Sequence, residues 1–222
     1  EDIPIGVYEG KGGVFVKIAV ITEGSTKHHN ADVMKALEGM GHEVFNLGMK
    51  NVDGEPDLTY METGLMTAIA LNLKAVDFVV GGCGTGQGYM NAVLQYPGVF
   101  CGLIMDPVEA FLYSQVNAGN CISLQLNKGY GGIGGDLNVK YILEKLFNDT
   151  YGQGYPAARK AVQVDARKRL ETLSQQSHRP MTEILKTIDP QLIRRTLDFP
   201  GVREFFAAAP ESELKDVVMS LY

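Results

Sequence analysis

Five short, continuous apolar runs, each followed by a segment with helical spacing, constrain the fold of this 222-residue chain more than any other feature. Polar residues do not alternate with apolar ones inside these runs, so both faces of each strand are expected to be covered. Strands of this kind, alternating with helices over short connections, predict a parallel sheet between two layers of helices. The predicted strands are 17–22, 43–47, 78–80, 99–105 and 120–124.

The helical segments divide the chain into three predicted parts. Residues 1–16 are expected to form an extended arm, 17–155 an α/β domain and 156–222 a helical extension. In the extension, a charged helix at 157–174 precedes segments that begin near four prolines, and we interpret the whole as a helical cap or an oligomer contact. The helices of the α/β domain are predicted at 27–40, 58–74, 89–94, 107–117 and 136–147.

Charge and composition exclude several classes of partner. The net charge is −6 and no basic stripe is present, which disfavours nucleic acid because phosphate contacts need clustered cations. No apolar run reaches membrane-spanning length, so no membrane partner is expected. The sequence opens without the pattern of a secretory signal, and a cytoplasmic location is therefore expected.

The cysteines and histidines do not have metal-ligand spacing. Cys101 and Cys121 lie inside apolar runs and are expected to be buried as small hydrophobic residues. Cys83 alone lies in a polar, glycine-rich setting. The adjacent His28 and His29 are interpreted as a solvated helix start close to the expected cleft, and no metal is predicted.

A glycine-rich turn at 81–88 follows the third predicted strand, and five of its eight residues are glycine. Glycines let a ligand approach backbone amides closely, and the helix start that follows adds partial positive charge. The thiol of Cys83 is therefore expected to ionise readily, and a thiolate is a competent general base. Thr85, two residues further on, offers a hydroxyl that can pass a proton. The turn, Glu23 and Asp106 all follow strand ends, where ligands bind in such sheets.

Nucleotide and flavin sites fit the sequence less well. The pattern G-x-G-x-x-G occurs at 129–134, but no strand follows its helix, so the context of a dinucleotide site is missing. A phosphate-binding P-loop motif is absent from the sequence. A flavodoxin-like electron carrier would need aromatic residues beside the flavin, and the loops at strand ends offer only Tyr130 and Tyr155.

Residues 82–88, Gly-Cys-Gly-Thr-Gly-Gln-Gly, resemble the C-G-T-G-x-G turn of type B ribose-5-phosphate isomerases and galactose-6-phosphate isomerase subunits. The resemblance extends over 17–159. It implies a three-layer α/β/α, Rossmann-like sandwich with a five-stranded parallel sheet. It also implies a homodimer or tetramer with sites shared between subunits, a small sugar or sugar-acid substrate, and neither cofactor nor metal.

The same resemblance implies cofactor-independent aldose–ketose isomerisation through an enediol. Cys83 is then the base, Thr85 moves a proton between the two oxygens, and the glycine amides hold the developing negative charge. Glu23 stands at a substrate-binding position of the family. The residues implied in substrate binding are Glu23, Gly84, Gly86, Gly88, Asn117 and Arg159.

Three departures from the family pattern suggest a different substrate. The family's Asp-His pair is Glu23-Gly24 here, and its ring-opening histidine before Asn117 is Val116. Of two phosphate-binding arginines, one is Tyr155 and the other is kept as Arg159. A phosphate dianion needs several charged donors, so we hypothesise an open-chain keto-uronate such as a 4-deoxy-5-keto hexuronate.

Two alternatives stay open at this stage. A conventional ribose-5-phosphate or hexose-phosphate isomerase is possible if Lys128 or the glycine-rich loop at 129–135 supplies the missing anion donors. A non-catalytic sugar-binding homologue would tolerate the lost histidines, but it would have no need of Cys83 and Thr85 in the turn.

Overall fold

A five-stranded, all-parallel sheet forms the centre of the molecule in a computed structural model that describes residues 8–10, 13–130 and 132–222. The strands are β1 (Tyr8–Gly10), β2 (Gly13–Phe15), β3 (Lys17–Thr22), β4 (Glu43–Asn46), β5 (Phe78–Cys83), β6 (Cys101–Ile104) and β7 (Cys121–Gln125). The order across the sheet is β4-β3-β5-β7-β6, and β1 and β2 form a separate antiparallel hairpin. After β4 the chain crosses to the other side of β3 and forms β5 there, so the strand order reverses between β3 and β5.

Ten α-helices lie in the described part of the chain, and several begin with side-chain caps. The helices are α1 (Asn30–Leu37), α2 (Tyr60–Asn72), α3 (Gln87–Val93), α4 (Pro107–Leu112), α5 (Gly135–Phe147), α6 (Lys160–Ser177), α7 (Met181–Leu185), α8 (Pro190–Leu197), α9 (Val202–Ala207) and α10 (Glu213–Met219). Thr59 caps α2, and its backbone amide donates to Glu62 at 2.8 Å, which forms a capping box. Asp106 caps α4, with Pro107 in the first turn.

Each face of the sheet carries its own hydrophobic core. One core joins alternate residues of the central strands, such as Ile21 and Val79, to α2, α3 and the C-terminal helices α7–α10. The other joins the intervening strand residues, such as Val20 and Val80, to α1, α4 and α5. The sheet is therefore covered on both sides, as its continuous apolar strands predict.

The predicted fold class is confirmed, whereas several element boundaries are different. The first helix begins as a 3₁₀ segment, Gly24–His29, and ends at Leu37. The helix predicted at 107–117 changes from α4 into a π-helical turn over Tyr113–Asn117. Most of the predicted arm at 1–16 lies outside the described residues; the part described includes the β1–β2 hairpin.

The C-terminal helices pack onto the α/β domain through a common core. Phe199, Val202 and Phe206 are buried and belong to the cluster that contains residues of α2. No helix in the described ranges is long and apolar enough to cross a membrane. The division at residue 156 stays a prediction, although the shared core predicts that both parts unfold together.

Phe206→Ala should lower the free energy of unfolding by about 3–5 kcal/mol, because it leaves a cavity in the shared core. Phe205→Ala, at the half-buried neighbouring position, is the matched control and should cost clearly less. Urea unfolding followed by circular dichroism would measure both. Two separate transitions, of which Phe206→Ala shifts only one, would contradict a common core.

Candidate active site

The ends of β3, β5 and β7 bring the predicted proton-transfer residues to one edge of the sheet. Thr22 pairs with Gly82, and Cys83 pairs with Gln125, so Glu23 and Cys83 follow at neighbouring positions of the carboxyl edge. The edge lies where the strand order reverses between β3 and β5, which is the usual ligand position in an open α/β sheet. Glu23, Cys83 and Thr85 thus lie on the same side of the fold.

Cys83 is more buried than the sequence indicates. It is the last residue of β5, only 6% of it is exposed, and it belongs to the core cluster on the α2 side. The expectation of a thiol in an open polar turn is therefore wrong. Gly81 and Gly82 are strand residues, and the turn begins only at Gly84, because β5 pairs with β3 and β7 along its whole length.

Tyr89 lies against β5 at Gly81 and explains why position 81 is glycine. A Cβ atom at Gly81 would collide with the Tyr89 ring and hydroxyl. The tyrosine hydroxyl is 2.6 Å from the hydroxyl oxygen of Thr67, and burial raises the pKa of Tyr89 well above its ordinary value. Tyr89 therefore stays protonated and supports the turn from the core side.

The turn itself is fixed by backbone hydrogen bonds around Cys83. The Cys83 carbonyl accepts from the amides of Gly86 at 3.1 Å and Leu126 at 3.2 Å. Gly86 adopts a left-handed conformation with φ of 73° and precedes α3. Since the Gly86 amide is engaged inside the turn, Gly84 and Gly88 are the better candidates for donors to an anion.

Thr85 is exposed at the tip of the turn, and its hydroxyl oxygen is 3.4 Å from the Gln87 amide nitrogen.

A polar frame made by Glu23, Ser25 and Asn127 joins the end of β3 to the Cys83 turn. The buried Glu23 carboxylate accepts from both the amide and the hydroxyl of Ser25. Asn127 donates its side-chain amide to the Ser25 carbonyl at 3.0 Å and its backbone amide to the Gly84 carbonyl at 3.1 Å. Asn127 therefore holds the two loops together.

The segment 57–60 forms a second wall, which we call the Asp57–Tyr60 wall. The amide of Gly24 donates to the Leu58 carbonyl at 2.8 Å. A Cβ atom at Gly24 would collide with the Asp57 carboxylate, so that carboxylate occupies the space beside Gly24. On the other side, the Tyr60 ring lies against Gly88, where an added Cβ would be 3.1 Å from Cδ1.

Asn117 and Arg159 lie away from the Cys83 turn in the same chain. Asn117 ends the π-helical turn that leads to the start of β7, at the amino edge of the sheet, and is exposed. Arg159 is exposed in a 3₁₀ turn before α6. The Gly154 amide donates to the Gln115 carbonyl at 2.9 Å, so the two segments lie side by side. Within one chain, Asn117 and Arg159 therefore do not join Glu23, Cys83 and Thr85 at the carboxyl edge.

A groove of about 400 Å³ next to Asn117 separates α6 from the amino edge of the sheet. Arg167 crosses it and donates to the carbonyls of Val116 at 2.9 Å and Gly152 at 3.3 Å. Burial lowers the pKa of Arg167 below its ordinary value. The arginine fixes the backbone that presents Val116 and Asn117.

The histidine pair is only partly solvated. His28 is exposed, but His29 is half-buried, and its ring lies 3.7 Å from the ring centre of Tyr130. Burial, with a contribution from His28, lowers the pKa of His29 below its ordinary value. His29 is therefore neutral near pH 7, and the expectation of a solvated helix start holds only for His28.

The other two cysteines differ in burial. Cys121 is fully buried, whereas Cys101 is only half-buried. Burial raises the pKa of the Cys101 thiol well above its ordinary value, which makes Cys101 a poor base near neutral pH.

Among the described residues, no cluster of three or more histidine, cysteine or acidic side chains could hold a metal ion.

Sequence reasoning missed Asn127 as a frame residue, and Asp57 and Tyr60 as wall residues. Asn127 lies two residues beyond the end of β7, and polar residues just after a strand tend to line the ligand edge of a parallel sheet. The wall residues precede and begin α2, and only the tertiary contacts with Gly24 and Gly88 place them at the site.

Comparisons with known proteins match the chain to a family model and to solved structures. A family model described as Ribose/Galactose Isomerase matches residues 18–164, more than half of the chain. The crystal structure of a 4-deoxy-L-threo-5-hexosulose-uronate ketol-isomerase complexed with a tartrate is 40% identical, with a TM-score of 0.88. The match covers 92% of this chain and 98% of that chain.

Two further structures give the range of similarity. A ribose-5-phosphate isomerase from Vibrio parahaemolyticus is 41% identical, with a TM-score of 0.88 over 93% of this chain and 99% of that chain. A type B ribose 5-phosphate isomerase from Trypanosoma cruzi is 15% identical, with a TM-score of 0.61 over 74% of this chain and 99% of that chain. At that identity, the Trypanosoma structure shows a common fold only.

Gly86→Ala should destabilise the protein by about 2 kcal/mol or more, because a Cβ there meets both a left-handed backbone and Leu103 Cδ1 at 2.5 Å. Gly98→Ala is the matched control: φ is 69°, and its nearest neighbour, Asn72, is 3.5 Å from the added atom. The control should cost only about 1 kcal/mol. Equal losses in denaturant unfolding would show that the turn is not tightly packed at Gly86.

Proposed function

This chain belongs to the ribose/galactose isomerase family and is a sugar isomerase, and on that premise we propose that its substrate is an open-chain keto-uronate. The proposed reaction converts an aldose into a ketose through an enediol, with Cys83 as the base. A 4-deoxy-5-keto hexuronate has the required features, since it carries an aldehyde at one end and a carboxylate at the other.

In the proposed mechanism, the Cys83 thiolate removes the proton from carbon 2 and returns it to carbon 1. The hydroxyl proton on oxygen 2 moves to oxygen 1, and Thr85, which is exposed at the tip of the turn, is the proposed carrier of that proton. Negative charge grows on the oxygens in the enediolate. The amides of Gly84 and Gly88 are the proposed donors that stabilise it. Protons and electrons balance within the substrate, so no redox partner is needed.

The observation that carries the choice of substrate is the Asp57 carboxylate beside Gly24. It occupies the space that a side chain at position 24 would need, so no cationic or histidine side chain can bind a phosphate from there. With the Glu23 carboxylate it also makes this end of the cleft acidic. Carboxylates can accept hydrogen bonds from the hydroxyls of a sugar, whereas they repel a phosphate dianion.

The far end of the substrate is assigned to residues of a second chain. Asn117 and Arg159 lie on adjoining segments, and Arg159 can supply a bidentate contact to one carboxylate. Val116 stands directly before Asn117 and cannot transfer a proton, which supports a substrate that needs no ring opening. We therefore propose a homodimer or tetramer in which one subunit provides the base and its partner binds the carboxylate.

Ribose 5-phosphate is the second candidate substrate. The observation in its favour is the 41% identity to a ribose-5-phosphate isomerase, which is nearly the same as the 40% identity to the uronate isomerase. Since overall identity does not distinguish the two substrates, the choice between them rests on the residues around Gly24 and Val116.

Purified protein should turn over the 4-deoxy-5-keto hexuronate with a kcat/KM at least about 30-fold above that for ribose 5-phosphate, since a lost charged contact typically costs about 2–5 kcal/mol and every 1.4 kcal/mol is tenfold. Both reactions can be followed by NMR. Efficient turnover of ribose 5-phosphate and none of the uronate would refute the choice of substrate. Absence of turnover with both sugars would favour a non-catalytic sugar-binding role.

A further inference from the structure

The C-terminal helices reach the candidate site through one side chain, Arg195 of α8. Its Nε lies 3.1 Å from Oε1 of Glu62, a carboxylate that is only 5% exposed. Its Nη2 donates to the backbone carbonyl of Asp57 at 2.9 Å. One guanidinium therefore binds both Glu62, in the first turn of α2, and the backbone of Asp57, which directly precedes the buried Leu58.

The other oxygen of Glu62 extends this contact into the Asp57–Tyr60 wall. Oε2 of Glu62 accepts from the amide of Thr59 at 2.8 Å and from its hydroxyl at 2.5 Å. A carboxylate buried with fixed donors on both oxygens has little freedom to move. The guanidinium, Glu62 and Thr59 thus form a continuous path from α8 to the wall that contacts Gly24 and Gly88.

A second contact supports the same part of the chain. Phe199, which follows α8, is buried, and the ammonium of Lys50 lies 5.6 Å from its ring centre. Lys50 also donates to the Gly48 carbonyl at 3.1 Å, in the connection that leads from β4 towards the wall. The C-terminal helices α7–α10 lie outside the 18–164 range that the family model matches. Residues of this region therefore contact both ends of the connection between β4 and the wall.

We propose that Arg195 is a positioning residue, through which the C-terminal helices fix the Asp57–Tyr60 wall against the hydroxyl-bearing end of the substrate. The inference rests on the proposed function for its substrate and on the contacts above for its geometry. A planar guanidinium suits this role because its fork reaches two acceptors at once, whereas a lysine ammonium is a point charge. Arg195 itself does not touch the reacting atoms.

Arg195→Met should raise KM by about 2- to 30-fold, because a loosened wall binds the substrate less well in ground state and transition state alike. Partial unfolding would instead lower the apparent kcat at constant KM. Arg195→Lys keeps a positive charge beside Glu62, so its melting temperature should be close to that of the wild type. Its KM should nevertheless stay raised. Arg194→Met, at the exposed neighbouring position, is the control and should leave KM unchanged.

Hydrogen exchange measured by mass spectrometry provides a readout that needs no substrate. Peptides covering 57–63 should exchange faster in Arg195→Met than in Arg194→Met, with the β5 and β7 peptides unchanged. Unaltered exchange in 57–63, or a wild-type KM in Arg195→Met, would overturn the inference. A wild-type protein that turns over neither sugar would refute the proposed function instead, and the exchange of 57–63 would then decide alone whether Arg195 holds the wall.

Discussion

The pairing of β5 with strands on both sides is the constraint on which the rest of the site depends. It brings the β5 backbone so close to β7 and to the buried Tyr89 ring that side chains cannot be placed at Gly81 or Gly82. Cys83 directly follows these two glycines, so it is the first residue at this end of β5 that carries a side chain. The strand pairing fixes it at the carboxyl edge of the sheet. The thiol is therefore held by the sheet and not by a mobile loop, and the turn that follows only has to arrange amides around it.

Much of the fold could be predicted from the sequence, because the information lies in local patterns. Continuous apolar runs gave all five strands of the parallel sheet, and caps such as Asp106 marked helix starts. The length of β5 could not be predicted, since glycines normally end a strand and here they are required by tertiary packing. The burial of Cys83 was missed for the same reason.

The candidate site was predictable only where its residues follow strand ends. Glu23, Cys83 and Thr85 lie at one edge of the sheet, as expected. The sequence does not indicate Asn127, and Asp57 lies at the site only because of a contact with a residue far from it in sequence. Asn117 and Arg159 lie on another part of the surface, and no local pattern separates them from the residues of the Cys83 turn. Through its contacts with Glu62 and with the Asp57 carbonyl, Arg195 connects the Asp57–Tyr60 wall to the C-terminal helices, a connection that individual motifs could not suggest.

The central claim is that Cys83 moves the proton between carbons 1 and 2. Proton exchange at carbon 2 of the uronate in deuterated water, followed by NMR, tests it most directly when wild type and Cys83→Ala are compared. Exchange is expected with the wild type and none with Cys83→Ala, while circular dichroism and the melting temperature show that the variant is folded. Exchange that persists at the wild-type rate in Cys83→Ala would mean that another group is the base.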